Sequence, residues 1–73
     1  MHTIKPGDAL HVHQHTGEAE AYYILAGEGL YNDNGKEYTV RPGCVTYTGD
    51  GEFHGIKNVG KDDLVFVALI ING

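Results

Sequence analysis

Cysteine is all but absent. Cys44 is the only one among 73 residues, so no intramolecular disulfide can brace the chain, and a lone thiol fits a reducing compartment. It follows a Pro-Gly turn and reads as a small, half-buried apolar residue. Basic residues are scarce too: five Lys and Arg stand against ten Asp and Glu, a formal charge of −5. The acids are scattered, and there is no basic stripe to hold nucleic acid or anionic lipid. Long apolar runs are missing as well. The longest, Leu64–Ile71, has eight residues, too few to span a bilayer. No charged-then-apolar leader opens the chain, and a soluble, cytoplasmic protein is the expectation. Helical periodicity is rare, and no repeat, linker or low-complexity segment marks a boundary. Residues 1–73 are expected to form one domain, near the lower size at which an apolar core suffices unaided. The brace, if one is needed, has to be a metal or a partner chain.

What the chain has instead is glycine, eleven in all, set between short alternating or β-branched segments. That pattern predicts an all-β domain. The expected strands are His2–Ile4, Ala9–His15, Ala19–Ala26, Leu30–Asn32, Lys36–Val40, Val45–Thr48, His54–Asn58 and Leu64–Asn72. Lys5-Pro6-Gly7-Asp8 and Arg41-Pro42-Gly43 supply turns, and Asn34-Gly35 is a strong hairpin signal. Glu20, Tyr22, Ile24 and Ala26 fall on one face of their strand, as do His54, Ile56 and Asn58 on theirs. The last strand is apolar on both faces, with Leu64, Phe66, Ala68 and Ile70 opposite Val65, Val67, Leu69 and Ile71. A sheet with one face in water alternates instead. Both faces therefore need cover, and a second protomer is its simplest source.

The organising stretch is Gly7–Gly27. His11, His13 and His15 alternate with Val12 and Gln14, which on a strand puts three imidazoles on one face. A tight reversal at residues 15–18 would lay the next run antiparallel to the first and bring Glu20 beside them. Imidazoles with a carboxylate make a mixed N/O metal site. The alternative is a surface patch of histidines with no ion.

His54 gives the spacing its specificity. Five residues separate Gly7 from His13, one His13 from His15, four His15 from Glu20, and six Glu20 from Gly27. In a second block five residues separate Gly43 from Gly49, Gly51 is two places on, two residues precede His54 and three more precede Asn58. This layout resembles the two motifs of the cupin family. Nine positions match; the family's second motif usually has proline where this chain has Gly49. Fifteen residues, Glu28 through Pro42, separate the blocks, which is similar to the short-spaced microbial members. The resemblance implies a small β-barrel of jelly-roll type holding one divalent metal, with His13, His15, Glu20 and His54 as ligands. Typical single-domain members carry further N-terminal strands, whereas six residues precede the first motif here. The barrel is therefore expected to be N-terminally shortened, with an open edge to be covered. Glycine in place of the motif proline predicts a looser loop before His54.

Three imidazoles and one carboxylate on a six-coordinate ion leave two positions open for water, dioxygen or a bidentate ligand. Iron, manganese, nickel, copper, cobalt and zinc all suit such donors. The first functional reading is a metal-dependent oxygenase or related oxidoreductase acting on a small organic molecule. The second is a non-catalytic module, a sensor or carrier that binds a metal and a small ligand. Sugar-phosphate isomerases or epimerases also occur in cupins, but they want fixed cations for phosphate, and Lys5, Lys36, Arg41, Lys57 and Lys61 lie at turns, strand ends or off the His54 face. An enzyme needs an acid or base besides the ligands, and the candidates are Tyr22, Tyr47 and Glu52. His11 is read as a non-ligand at the barrel mouth or as an outer neighbour. The doubly apolar last strand and the short N-terminal edge together predict a homodimer, with Val65, Val67 and Leu69, or else Phe66, Ala68 and Ile70, at the contact.

Overall fold

A computed structural model describes residues 1–14 and 16–72. Eight strands follow in order: β1 (His2–Ile4), β2 (Ala9–Gln14), β3 (Glu18–Ala26), β4 (Gly29–Asp33), β5 (Lys36–Val40), β6 (Val45–Thr48), β7 (Phe53–Asn58) and β8 (Leu64–Asn72). No helix occurs among the described residues, so none is long and apolar enough to cross a membrane. The strands form two antiparallel four-stranded sheets, ordered β1-β8-β3-β6 and β2-β7-β4-β5. The all-β expectation holds, and each described strand lies within a residue or two of its sequence-predicted position.

Turn chemistry accounts for the boundaries. Asp33 pairs with Lys36 across a two-residue loop in which Asn34 and Gly35 both have positive φ, 53° and 92°. That left-handed pair is the turn that matches strand twist, and Asn-Gly favours it. At the far end of β7, Asn58 ties the end of β1 to the loop before β8: its Nδ2 donates to the carbonyls of Ile4 and Asp62, both at 2.8 Å, and its Oδ1 accepts from Gly60 N–H at 2.9 Å.

The core lies between the sheets. Ile4, Tyr22, Ile24, Leu64 and Phe66 from the first sheet meet Tyr31, Val40 and Ile56 from the second. Pairing resolves the ambiguity of the last strand. Phe66 pairs with Ile24 and Ala68 with Tyr22, so Leu64, Phe66 and Ala68 face inward, and Val65, Val67, Leu69 and Ile71 face out. Ile70 shares the inward set but is 43% exposed, because it pairs with Glu20 towards the open end of the sandwich.

Three expectations about pairing and faces need correction. β3 does not pair with β2; the reversal carries the chain from one sheet to the other, so β2 pairs with β7 and β3 with β6 and β8. The histidine strand also fails to alternate. Leu10 pairs with Ile56 and His13 with His54, so His11 and Val12 together stand against Gly55 alone. This is a β-bulge, which puts Leu10 and His13 on the same side of the sheet. A shift between Ile24 and Ala26 likewise ends the alternation of β3, and Ala26 is exposed rather than in line with Ile24.

Candidate metal centre

Three strands from two sheets deliver the site. His13 and His54 are cross-strand partners on β2 and β7, and Glu20 on β3 faces them across the gap between the sheets. Gly55, next to His54, makes the bulge possible. A Cβ there would lie 2.9 Å from the backbone nitrogen of Val12 and 3.0 Å from the carbonyl oxygen of Leu10. The bulge carries His11 away from His13: His11 lines a depression of about 160 Å³ with Asn32, Glu37 and Lys57, on the outer face of the second sheet. His11 and His13 therefore do not share the inner face.

His54 Nε2 lies 2.9 Å from Glu20 Oε1 and 3.2 Å from His13 Nε2. One donor atom from each of the three residues falls within 4.8 Å of the other two. His54 is fully buried and Glu20 nearly so, while His13 is exposed at the rim. Two imidazole nitrogens and a carboxylate oxygen crowded together need a proton or a cation between them. Transition-metal ions bind such donors at about 2.0–2.2 Å, which spaces neighbouring donors by roughly 3 Å. The 2.9 and 3.2 Å separations match that spacing, and imidazole nitrogens with a carboxylate oxygen are donors a divalent transition metal takes, so this donor set fits such an ion.

The rings are held from behind. His13 Nδ1 donates to the carbonyl of His11 at 3.0 Å, leaving Nε2 to face the cluster. His54 Nδ1 lies 2.9 Å from both Tyr31 OH and Thr48 Oγ1, which are themselves 2.6 Å apart. Neither residue was a sequence candidate. Their only sequence signal is inward parity on β4 and β6, which apolar residues share.

Among the candidate acids and bases, only Tyr22 approaches the cluster. Its hydroxyl is 3.4 Å from His54 Nε2 and its ring stacks on the imidazole at 4.9 Å. Burial, and then the charge of Glu20, push the Tyr22 phenol well above its ordinary range, and burial raises Tyr31 as well. Both keep their protons. Tyr47 is on the outer face of the first sheet, opposite Ala21. Glu52 clamps the turn before His54: Oε1 accepts from Gly49 N–H at 2.6 Å and Oε2 from Asn34 Nδ2 at 3.0 Å. Proline at position 49 has no N–H to make that bond. The side chain of Glu52 thus holds a loop that the missing proline would otherwise stiffen.

His15, the fourth ligand that the family resemblance implies, lies outside the described residues. Gln14 and Gly17 both bond to the turn that precedes His54. Gln14 Nε2 donates to Gly51 O at 3.0 Å, and Gly17 N–H donates to Asp50 Oδ1 at 2.6 Å.

The cupin-domain family profile matches residues 1–70. The chain is a cupin. Its two sheets are the jelly-roll sandwich of that family, and cupins commonly bind a metal. Among curated proteins, this cupin is 48% identical over 68 residues to an oxalate-binding protein of Thermotoga maritima, covering 93% of this chain and 56% of that one. It is 36% identical over 58 residues to the mannose-1-phosphate guanylyltransferase of Escherichia coli, covering 80% of this chain but 12% of that enzyme. Among solved structures, a predicted oxalate decarboxylase from Thermotoga maritima superposes with a TM-score of 0.95 at 46% identity, covering 97% of this chain and 62% of the other. The cupin thus spans less than two thirds of these relatives.

Proposed function

We propose that this cupin holds one divalent transition-metal ion through His13, His15, Glu20 and His54 and uses it to bind a small dicarboxylate of the oxalate class. The observation that carries the reading is the convergence of His13, Glu20 and His54 within 4.8 Å. The relative named as an oxalate-binding protein supports the ligand class. Four protein donors would leave two positions on a six-coordinate ion, which a dicarboxylate such as oxalate could take. When bound, the metal supplies a Lewis-acidic anchor for the anion. Glu20 and the imidazoles would hold the ion, and the Tyr22 hydroxyl, 3.4 Å from His54 Nε2, would offer a proton-bearing donor to its ligand.

Binding without turnover is favoured by the acid/base candidates. Tyr47 faces outward, Glu52 is engaged in its turn, and Tyr22 holds its proton tightly. A catalytic reading, an oxidoreductase or oxygenase on a small acid, rests on Tyr22 alone, as the acid nearest the cluster. A sugar-phosphate reading ranks below both, since Lys5 and Arg41 are paired with Asp63 and Glu28, and Lys57 lines the outer depression.

Two copies are proposed to pair through the outer face of the first sheet, where Tyr23, Val45, Tyr47, Val67 and Leu69 are exposed. A cytoplasmic location is proposed with it. Calorimetric titration of oxalate into manganese-loaded and metal-free protein tests the ligand reading. Heat is expected only with the loaded protein, and equal binding by both forms would defeat it. Release of carbon dioxide from oxalate by the loaded protein would favour the catalytic reading.

A further inference from the structure

His13 and His54 are anchored by chemically different partners. The carbonyl that faces His13 Nδ1 can only accept, so that nitrogen carries a proton whether or not the site is filled, and Nε2 is the nitrogen left to face the cluster. His54 Nδ1 faces two hydroxyls instead. A hydroxyl donates or accepts according to how its O–H is turned. It can donate to a bare Nδ1 or accept from Nδ1–H, and no heavy atom has to move between the two.

On the other side of the same ring, Nε2 is within hydrogen-bond distance of the Glu20 carboxylate oxygen, at 2.9 Å. Without a cation, an Nε2 proton donated to Glu20 satisfies both groups. With a cation, that proton must leave, because a ligating nitrogen needs its lone pair.

We propose that Tyr31 and Thr48 are positioning residues that let His54 exchange tautomers as the metal site fills. In the empty site His54 carries its proton on Nε2, and a hydroxyl donates to Nδ1. In the filled site Nε2 binds the ion, and Nδ1–H donates to the hydroxyl pair. One proton leaves Nε2 for solvent and one is taken up at Nδ1, so the ring stays neutral and its proton count does not change. The proposal rests on the metal-binding reading above. Tyr31, Thr48 and His54 are all fully buried, at 0% exposure. Water is therefore not at hand to replace a deleted hydroxyl, and an orphaned Nδ1–H opposes metal binding. Either hydroxyl alone can serve the nitrogen, so the two are expected to back each other up.

The test uses the whole chain, with zinc as a diamagnetic probe. Nitrogen-15 spectra of the wild-type protein at fixed pH are expected to show His54 protonated at Nε2 without zinc and at Nδ1 with it, while His13 keeps Nδ1–H in both states. Zinc affinity, read by competition with a chelating dye, is expected to fall ten- to a hundredfold in the Tyr31→Phe/Thr48→Val double variant, the range for lost outer partners of metal ligands. Each single variant should lose less. Tyr31→Phe/Thr48→Ser, which restores one hydroxyl, should recover the affinity of Tyr31→Phe alone. A His54 tautomer that does not change on zinc binding, zinc bound through Nδ1, or a double variant that binds zinc as tightly as wild type would overturn the proposal. Should the double variant fail to fold, the wild-type spectra decide by themselves. Wild-type protein that takes up no zinc or other divalent ion would instead bring down the metal-binding reading.

Discussion

Replacing Gly55 by alanine should damage both the fold and the metal centre. The added Cβ would meet the backbone nitrogen and Cα of Val12 at 2.9 and 3.0 Å and the Leu10 carbonyl oxygen at 3.0 Å. All three are main-chain atoms, so no side-chain rotation relieves the contact. The bulge of β2 has to move. Overpacking of this kind costs typically about 1–3 kcal/mol, and in a domain of this size each kcal/mol lowers the melting temperature by roughly 4–8 °C. For the middle of that range, Gly55→Ala should melt about 8–16 °C below wild type when both are metal-free. The displaced register shift lies between Leu10 and His13, so His13 moves relative to His54 and zinc affinity should fall in the same variant. Thermal melting by circular dichroism, paired with a zinc titration, reads both effects. A melting temperature within about 2 °C of wild type, with unchanged zinc affinity, would show that the bulge does not press on β7 as described.

Chelation should lower the melting temperature of metal-loaded protein. An ion bound only by the folded state adds about 2.7 kcal/mol at a hundredfold excess over Kd, and a divalent transition ion should restore it; an unchanged curve for demonstrably metal-free protein would mean the core suffices alone. Light scattering should find a dimer of the 7.9 kDa chain, and Leu69→Glu on the outer face should dissociate it. A wild-type species of monomer mass at every concentration would refute the pairing. Raising the pH past about 10, the ordinary phenol range, should destabilise the fold, because burial raises the Tyr22 and Tyr31 phenols. There the unfolded chain gives up protons that the native chain keeps, so unfolding gains as pH rises. Phenolate absorbance should develop together with loss of structure, and full ionisation of all five tyrosines in a still-folded protein would contradict this.

Much of the fold was legible because turns carry local signals. Asn34-Gly35 and the two Pro-Gly pairs mark reversals by their own backbone preferences, and the strand limits follow from them. His13, Glu20 and His54 were legible through the spacing of two motifs, although the reversal expected to bring Glu20 beside the imidazoles proved to change sheets. The bulge left no trace on β2, since Leu10–Gln14 reads as regular alternation. Its partner signal is a glycine on the facing strand, and the pairing of 10–13 with 54–56 is a tertiary fact. The inward side of β8 could not be read either, because both faces are apolar and only pairing with β3 distinguishes them. Tyr31 and Thr48 were missed for a similar reason. A buried hydroxyl that orients a ligand has the same strand parity as a residue that merely fills the core.

His13, His15, Glu20 and His54 are proposed to hold one ion together. The most direct measurement is the metal content per chain, by mass spectrometry, of protein purified without chelator, for wild type and the His15→Ala, His54→Ala and His2→Ala variants. Close to one divalent transition ion per chain is expected in wild type and His2→Ala, and a content well below one in His15→Ala and His54→Ala. Equal, full occupancy in all four proteins would contradict it.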